Sequence, residues 1–321
     1  MLVLMIKTSS MGDVIHSLPA LTDARLAFPN MYCEWVIEEN FSEIPTWHPA
    51  VSHVIPVAMR RWRKNWFQNL IRKERINFKN AIQHRSYDAV IDAQGLIKSA
   101  ALISRLATGV KHGGNIYSIK EPIASWWYDK RYTINKNQHA VQRIRSLFAK
   151  SLNYALPTTM GDYGILQHFT KNQPIKTSDY LVFLHATAKD KKQWPETHWK
   201  TLINSLKSER ITIKLPWGTH HEFLRAQRLA QGLSYVEVLP KLMLKEIAHI
   251  LMGAKAIISV DTGLSQLAAA LNCPNITLYG PTNVDLIGGY GHNQFSVHSL
   301  RKNMAEISPK KIKLILKRLF I

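Results

Sequence analysis

The sequence predicts an α/β protein built from two doubly wound, Rossmann-like domains. Strand-sized apolar runs alternate with amphipathic stretches of helical length, which is the pattern of parallel sheets covered by helices on both faces. The rhythm lapses once, in ALPTTMGDYGILQHFTKNQPIKTSD (155–179), where Pro, Gly and polar residues gather. It then restarts. A chain of 321 residues has room for two separate cores.

In the first half, strands are expected at 2–7, 33–38, 51–57 and 87–94, where β-branched and aromatic residues concentrate between polar turns. Helical periodicity falls at 14–28, 65–84, 97–107 and 138–152. In the second half, strands are expected at 180–187, 210–216, 235–240, 256–261 and 276–280, and helices at 196–208, 219–231, 243–253 and 263–271. The expected division is a domain over 1–160, a linker over 161–178, a domain over 179–305 and a terminal amphipathic helix over 306–321. That helix starts at Ser308–Pro309 and carries Ile312, Ile315, Leu316 and Leu319 on one face.

The apolar runs are too short for a membrane span, which needs ~20 residues. MLVLMI lacks a basic leader and a small-residue cleavage site, so it is a first strand and not a signal peptide. Cys33 and Cys273 are the only cysteines, one per half, so no disulfide framework is expected and a cytoplasmic setting fits. Lys and Arg number 42 against 22 Asp and Glu, a net charge of +20. That excess calls for a polyanionic partner: nucleic acid, an anionic membrane or a phosphorylated substrate. It concentrates in RRWRKNWFQNLIRKERINFKNAIQHR (60–85) and in SPKKIKLILKRLFI (308–321). Neither dinucleotide nor P-loop glycine fingerprints occur, and His220–His221 lack metal-ligand spacing, so no metal is expected.

Chemistry can sit in four places. KTSSMGDVIHSLPAL (7–21) leaves the first strand through Ser9 and Ser10 and sets Asp13 at a helix mouth, where phosphate-binding turns keep acids away. On the fragment alone, Asp13 reads as the N-cap of the helix that follows. SVDTGLSQLAAAL (259–271) puts Asp261 at a strand end and the free N–H groups of Thr262, Gly263 and Leu264 at a helix start, a ready phosphate site. Asp261 suits sugar hydroxyls, or serves as an N-cap. HATAKDKKQWP (185–195) offers Thr187 and Lys192 to a departing diphosphate, and PWGTHHEF (216–223) offers Glu222 to a ribose diol. The solvated basic turn and the helix-dipole acid are the plainer readings of these two.

KTSSMGDVIHSLPAL, IPVAMRRWRK, YDAVIDAQGLIKSAAL, FLHAT, KLPWG, SVDTGLS and NITLYGPT together resemble the lipopolysaccharide heptosyltransferase I family of glycosyltransferase family 9, in the same order over nearly the whole chain. The resemblance implies a GT-B glycosyltransferase fold with two Rossmann-like domains facing an interdomain cleft. It implies inverting, metal-independent transfer of L-glycero-D-manno-heptose from ADP-heptose, a co-substrate and not a cofactor, to the first Kdo of Kdo2-lipid A. By the same resemblance Asp13 is the general base. Thr187, Lys192, Glu222, Asp261, Thr262, Gly263 and Leu264 bind the donor, and Leu242 meets adenine through its backbone. Gln266 stands where the family has His, which removes a charged phosphate contact, and Ala188 stands where a second Thr is common. Arg60, Arg61, Arg63 and Lys64 resemble the acceptor-binding segment, joined by Ser9, Ser10, Lys98 and Arg143. Trp62 and Trp66 pack on the sheet or meet a membrane. An anionic inner-membrane surface on the cytoplasmic side is the expected setting, with no nucleic acid partner. Heptosyl transfer to a later core sugar, and a basic nucleic-acid-binding protein, are the competing readings.

Overall fold

A computed structural model describes residues 1–65, 68–171 and 178–320 and divides the chain into two units, Met1–Ile165 and Leu166–Ile321. The first holds a six-stranded sheet of β1 (Leu2–Ile6), β2 (Tyr32–Glu38), β3 (Val51–Val57), β4 (Ala89–Asp92), β5 (Lys111–Gly114) and β6 (Lys130–Tyr132), in the order β3-β2-β1-β4-β5-β6. The second holds β7 (Ser178–Leu184), β8 (Thr212–Leu215), β9 (Val236–Val238), β10 (Ala254–Val260), β11 (Asn275–Tyr279) and β12 (Gln294–His298), in the order β12-β11-β10-β7-β8-β9. Every pairing is parallel. The two orders are the same order, each the classic one for dinucleotide folds. The strand order reverses beside β1 in one unit and beside β7 in the other.

Both sheets are buried on two faces, which is why β1 reads as an unbroken apolar run with Val3 to Ile6 fully buried. In the second unit, Phe183, Trp194 and Trp199 form the aromatic centre, with ring centroids 4.9 Å apart for the Trp pair. Trp194 donates its indole N–H to Ile307 O at 2.9 Å. The helix Pro309–Phe320 buries Ile312 and Leu316 in that same core, so the segment set apart as 306–321 is part of the second unit. Within the stretch assigned to a linker, Leu166–Thr170 is a helix, and 172–177 lie outside the described residues, as does Trp66.

Several elements differ from expectation. The helix expected over 14–28 is two, Met11–Ile15 and Leu18–Ala27, because Pro19 has no N–H to carry the first helix's ladder onward. Met59–Lys64 is a helix of its own, before Asn69–Gln83. The helix expected over 97–107 ends at Leu102 and is followed by a 3₁₀ turn. Three strands were missed: β5 (KHGG), β6 (KRY) and β12 (QFSVH). None has a sustained apolar run. Gly113 of β5 lies where a Cβ would stand 2.2 Å from the Tyr128 ring, so that strand is selected for close packing and not for side-chain bulk.

The first unit also buries an ion pair. Arg145, 1 % exposed, donates from Nε to Asp23 Oδ2 at 2.6 Å and from its terminal nitrogens to Asp23, Thr159 O, Pro157 O and Gln142. It ties the helix Ala140–Leu152 to Leu18–Ala27 and to the 157–159 segment. Arg145→Ala strands the Asp23 carboxylate in the interior and is expected to cost about 3–5 kcal/mol. Urea unfolding of the first unit measures this, and a loss under ~1 kcal/mol would contradict the assigned role of the pair.

Candidate active site

In the first unit the site grows from the loops that follow β1 and β4. Ser10, in extended conformation, caps the helix Met11–Ile15, and Asp13 is its third residue, not its cap. Asp13 Oδ2 accepts the Ser10 N–H at 2.9 Å and the Ser10 hydroxyl at 2.7 Å, the returning half of a capping box. Ser10 is thereby committed to Asp13. Across the reversal point, Gln94 Oε1 accepts the N–H groups of Thr8 (2.9 Å) and Ser9 (3.2 Å), and Lys7 Nζ donates to Ala93 O at 3.1 Å. Asp92 at the end of β4 accepts the Tyr128 hydroxyl (2.8 Å) and the N–H groups of Gln94 and Gly95. Gly95 makes that turn at φ +65°, which a side chain would strain.

Lys7, Asp13, Asp92, Lys120 and Arg143 line a cavity of about 330 Å³. Burial pushes the Asp13 carboxyl up, but the Lys7 ammonium, the two Ser10 bonds and His16 outweigh it and hold the group below its usual range. Burial lowers Lys7 against the pull of Asp13 and Asp92, and burial lowers Arg143 against the pull of Asp13. Burial raises Asp92 despite its hydrogen bonds. Asp13 is thus an ionised carboxylate facing cations.

A larger cavity, about 840 Å³, adjoins through Gln94 and Leu96, which line both. It gathers Ser9, Arg60, Arg63, Lys64 and Lys98, with Thr8, Glu38 and Met59. Burial raises the Glu38 carboxyl, with Arg60 the main opposing charge. Trp62 holds the short basic helix in place. It is buried against Phe78 with centroids 5.5 Å apart, and its indole N–H donates to Glu74 Oε2 at 2.7 Å. Arg61 departs from the others. Its guanidinium bonds Glu39 (2.9 and 3.2 Å) and Glu74 (2.9 Å), and it lines a separate pocket of about 320 Å³ between β3 and Asn69–Gln83. Of the four basic residues expected to act together at 60–64, three line this cavity beside Lys98, and Arg61 is a strut outside it.

In the second unit, the expected donor residues follow the carboxyl ends of four adjacent strands: Thr187 and Lys192 after β7, Glu222 after β8, Leu242 after β9, and Asp261 to Gln266 after β10. This is where open α/β sheets bind ligands. Thr187 Oγ1 donates to Asp261 O at 3.0 Å, and Lys192 Nζ donates to Asp261 Oδ2 at 2.5 Å. Thr282 donates to the same oxygen. Lys192 and Asp261, expected on different parts of a ligand, are an ion pair here. The pairing cancels the charge that would repel a phosphate from the start of helix Gly263–Ala270, whose N-cap Thr262 makes no side-chain cap bond. Beneath that helix, Ser259, Ser265, Asn275 and Thr277 form a fully buried hydrogen-bonded network (2.8–3.1 Å) that pins it to the sheet. Glu222 Oε2 accepts from Gly218 and Thr219 N–H as a capping box, the plainer of its two readings. Gln266 is buried and donates to Ile287 O, a use that its place in the motif did not reveal. Among the described residues no three His, Cys, Asp or Glu side chains gather as a metal site.

Sequence reasoning missed Lys7, Asp92, Gln94, Lys120 and Thr282, although the motifs YDAVIDAQGLIKSAAL and NITLYGPT contain three of them. Two parallel units with this strand order define the GT-B class of fold, that of nucleotide-sugar glycosyltransferases. Residues 75–315 match the model of glycosyltransferase family 9 (heptosyltransferase). The chain is 57% identical over 312 residues to lipopolysaccharide heptosyltransferase 1 of Escherichia coli (strain K12), covering 97% of this chain and 98% of that one. It is 48% identical over 300 residues to the protein of that name from Pseudomonas aeruginosa, covering 93% and 84%. It superposes on the structure of E. coli heptosyltransferase WaaC with ADP at TM-score 0.95 and 56% identity, with 99% of each chain covered. The same enzyme with ADP-2-deoxy-2-fluoro heptose gives 0.92, at 54% identity and 99% of each chain. This chain belongs to glycosyltransferase family 9, the heptosyltransferases.

If Arg61 is a strut, Glu74→Gln should loosen the Met59–Lys64 helix, because one carboxylate serves both Arg61 and the Trp62 indole. Amide hydrogen exchange across that helix is expected to accelerate in Glu74→Gln and to stay unchanged in Arg60→Gln. Equal exchange in both variants would show that the bridge does not hold the helix.

Proposed function

We propose that the protein transfers L-glycero-D-manno-heptose from ADP-heptose to the first Kdo of Kdo2-lipid A, with inversion at the anomeric carbon and without a metal, at the cytoplasmic face of the inner membrane. The observation that carries this reading is Asp13: an ionised carboxylate, clamped by Ser10, in a cavity walled by Lys7, Lys120 and Arg143. A base alone needs no such cations. An acceptor bearing carboxylates and phosphates does. The names of the similar proteins and the ADP-bound structure of one of them support the same donor and pathway.

In this reading the first unit binds the acceptor. Arg63, Arg60, Lys64 and Lys98 meet its anionic groups, and Asp13 removes the proton of the attacking hydroxyl as the new C–O bond forms. The bond from the anomeric carbon to the diphosphate breaks on the opposite face, and ADP leaves with the electron pair. The second unit meets that charge with the N–H groups of Thr262, Gly263 and Leu264 and with Lys192, while Asp261 turns to sugar hydroxyls. Glu222 keeps its second oxygen for ribose, and Leu242 offers backbone to adenine. Gln266, whose amide donates to Ile287 O, brings no charge to the phosphates. An acceptor carboxylate beside Lys7 would also neutralise the main charge that holds Asp13 down, which raises its basicity when the acceptor is bound.

Asp13→Asn should keep the fold and ADP affinity but lose about 10²–10⁴-fold in turnover, the usual contribution of a general base. Near-normal turnover would exclude the assignment. The base must be deprotonated to act, so the rate falls as pH drops through the Asp13 pKa, which lies under the ordinary value of 3.8. Lys7→Met removes the main lowering charge, so the acid limb of kcat/KM should move to higher pH; an unmoved limb would contradict the proposed coupling. For the second unit, calorimetry should find ADP binding weakened in Lys192→Ala. Asp261→Ala should spare ADP more than ADP-heptose, and equal losses would argue against a sugar contact.

A further inference from the structure

The helix Ile97–Leu102 and the 3₁₀ helix Pro122–Trp127 pack side by side next to the two cavities, with Ala100, Ile119, Ala124 and Tyr128 as their shared core. The main-chain N–H of Ile97 donates to Glu121 at 2.7 Å and locks the pair together. What these elements and the loop before the second one leave outside is unusual. Tyr117 is 74% exposed and Trp126 69%, with Ile97, Leu102, Ile116 and Ile123 exposed on the same elements. Scattered apolar residues on a surface mean little, but aromatic and branched side chains concentrated on two locked neighbours mark an interaction face.

Its charge is one-sided. From 97 to 131 the exposed charges are Lys98, Arg105, Lys120, Lys130 and Arg131 against Asp129, and Asp129 already accepts the Lys111 N–H. A second copy of the chain meeting this face about a two-fold axis would bring like charges together. Trp and Tyr among Ile and Leu, ringed by Lys and Arg, instead fit the headgroup layer of an anionic bilayer, where amphipathic rings lodge and cations find phosphates. Position agrees. Leu102 and Lys98 line the 840 Å³ cavity, and Lys120 lines the Asp13 cavity, so the face begins where both cavities open. The helix Pro309–Phe320 is another basic amphipathic element, but its Ile312 and Leu316 are consumed by the core of the second unit; the basic helix Asn69–Gln83 likewise buries Ile71, Phe78 and Ile82 in the core of the first. No helix among the described residues is long and apolar enough to cross a membrane.

We infer that the Ile97–Leu102 helix and the 116–126 segment form the membrane-docking face, with Tyr117 and Trp126 entering the interface of an anionic bilayer and presenting the adjoining cavities to a lipid-anchored substrate. This rests on the lipid-linked acceptor of the proposed function. It names the surface that brings the enzyme to it.

The test uses the full chain as wild type, as Tyr117→Ser with Trp126→Ser, and as Leu314→Ser, a comparably exposed residue of the terminal helix. Each is sedimented with vesicles of phosphatidylethanolamine and phosphatidylglycerol, and with phosphatidylcholine vesicles. Wild type and Leu314→Ser should bind the anionic vesicles and bind the neutral ones much less, since each basic residue near an anionic surface strengthens binding about fivefold. The double variant should bind the anionic vesicles at least ~10-fold more weakly, because its interfacial anchors are gone. Its melting temperature should not change, and it should transfer heptose to a deacylated, water-soluble acceptor at the wild-type rate while slowing on the acceptor held in vesicles. Wild-type binding by the double variant overturns the inference, as does loss of binding in Leu314→Ser alone. A wild-type dimer that the double variant dissociates in sedimentation equilibrium also overturns it. Failure of every form on the deacylated acceptor, with vesicle binding still lost in the double variant, supports the docking face and rejects the acceptor assignment.

Discussion

Strand order reverses beside the first strand of each sheet, and the lysine and aspartate that face each other in each unit depend on that reversal. Because β1 pairs with β2 on one side and β4 on the other, the connections leaving β1 and β4 diverge to opposite faces. The carboxyl ends of the two strands are left open, with backbone groups that no sheet neighbour covers. The second unit repeats this at β7 and β10. Lys7, Asp13 and Asp92 occupy one opening, and Lys192, Asp261 and Gly263 the other. Each opening has a lysine from the loop after the first strand and an aspartate at or just past the end of the fourth.

The two openings use that pairing differently. In the second unit Lys192 touches Asp261 directly, and a helix start that an acid would spoil for phosphate is left close to neutral. In the first unit Lys7 gives its hydrogen bond to the Ala93 carbonyl, so its charge is spread over Asp13 and Asp92 without closing on either. Asp13 stays ionised, with Ser10 donating two hydrogen bonds to it and Lys7 lending charge without contact. Second-layer groups set these positions: Gln94 ties the loop after β1 to the loop after β4, and the Ser259–Ser265–Asn275–Thr277 network fixes the helix that begins at Gly263.

Much of this was legible in the residues. The restarted β/α rhythm marks two parallel units, and SVDTGLS by itself marks a helix start directly after a strand. Strands β5 and β6 were not legible, because KHGG and KRY carry no apolar period and are recruited by their neighbours. The break at Pro19 was in plain view, yet the apolar stripe on either side outweighed it. Long-range pairings were the deeper obstacle. Arg61 looks like its basic neighbours until Glu39 and Glu74, which lie 22 and 13 residues away, are seen to hold it. Lys192 and Asp261 are 69 residues apart. The role of Asp13 came from resemblance to a family, while its clamp by Ser10 is a local rule that the spacing already contained.

The account comes down to a base in the first unit acting on one face of a sugar whose leaving group departs from the other. The direct measurement is the anomeric configuration of the heptose in the product made from ADP-heptose and Kdo2-lipid A, read by NMR coupling constants. The account predicts a product whose anomeric configuration is opposite to that of the donor. Retained configuration would contradict it, since retention requires a second displacement that a single carboxylate acting as base does not provide.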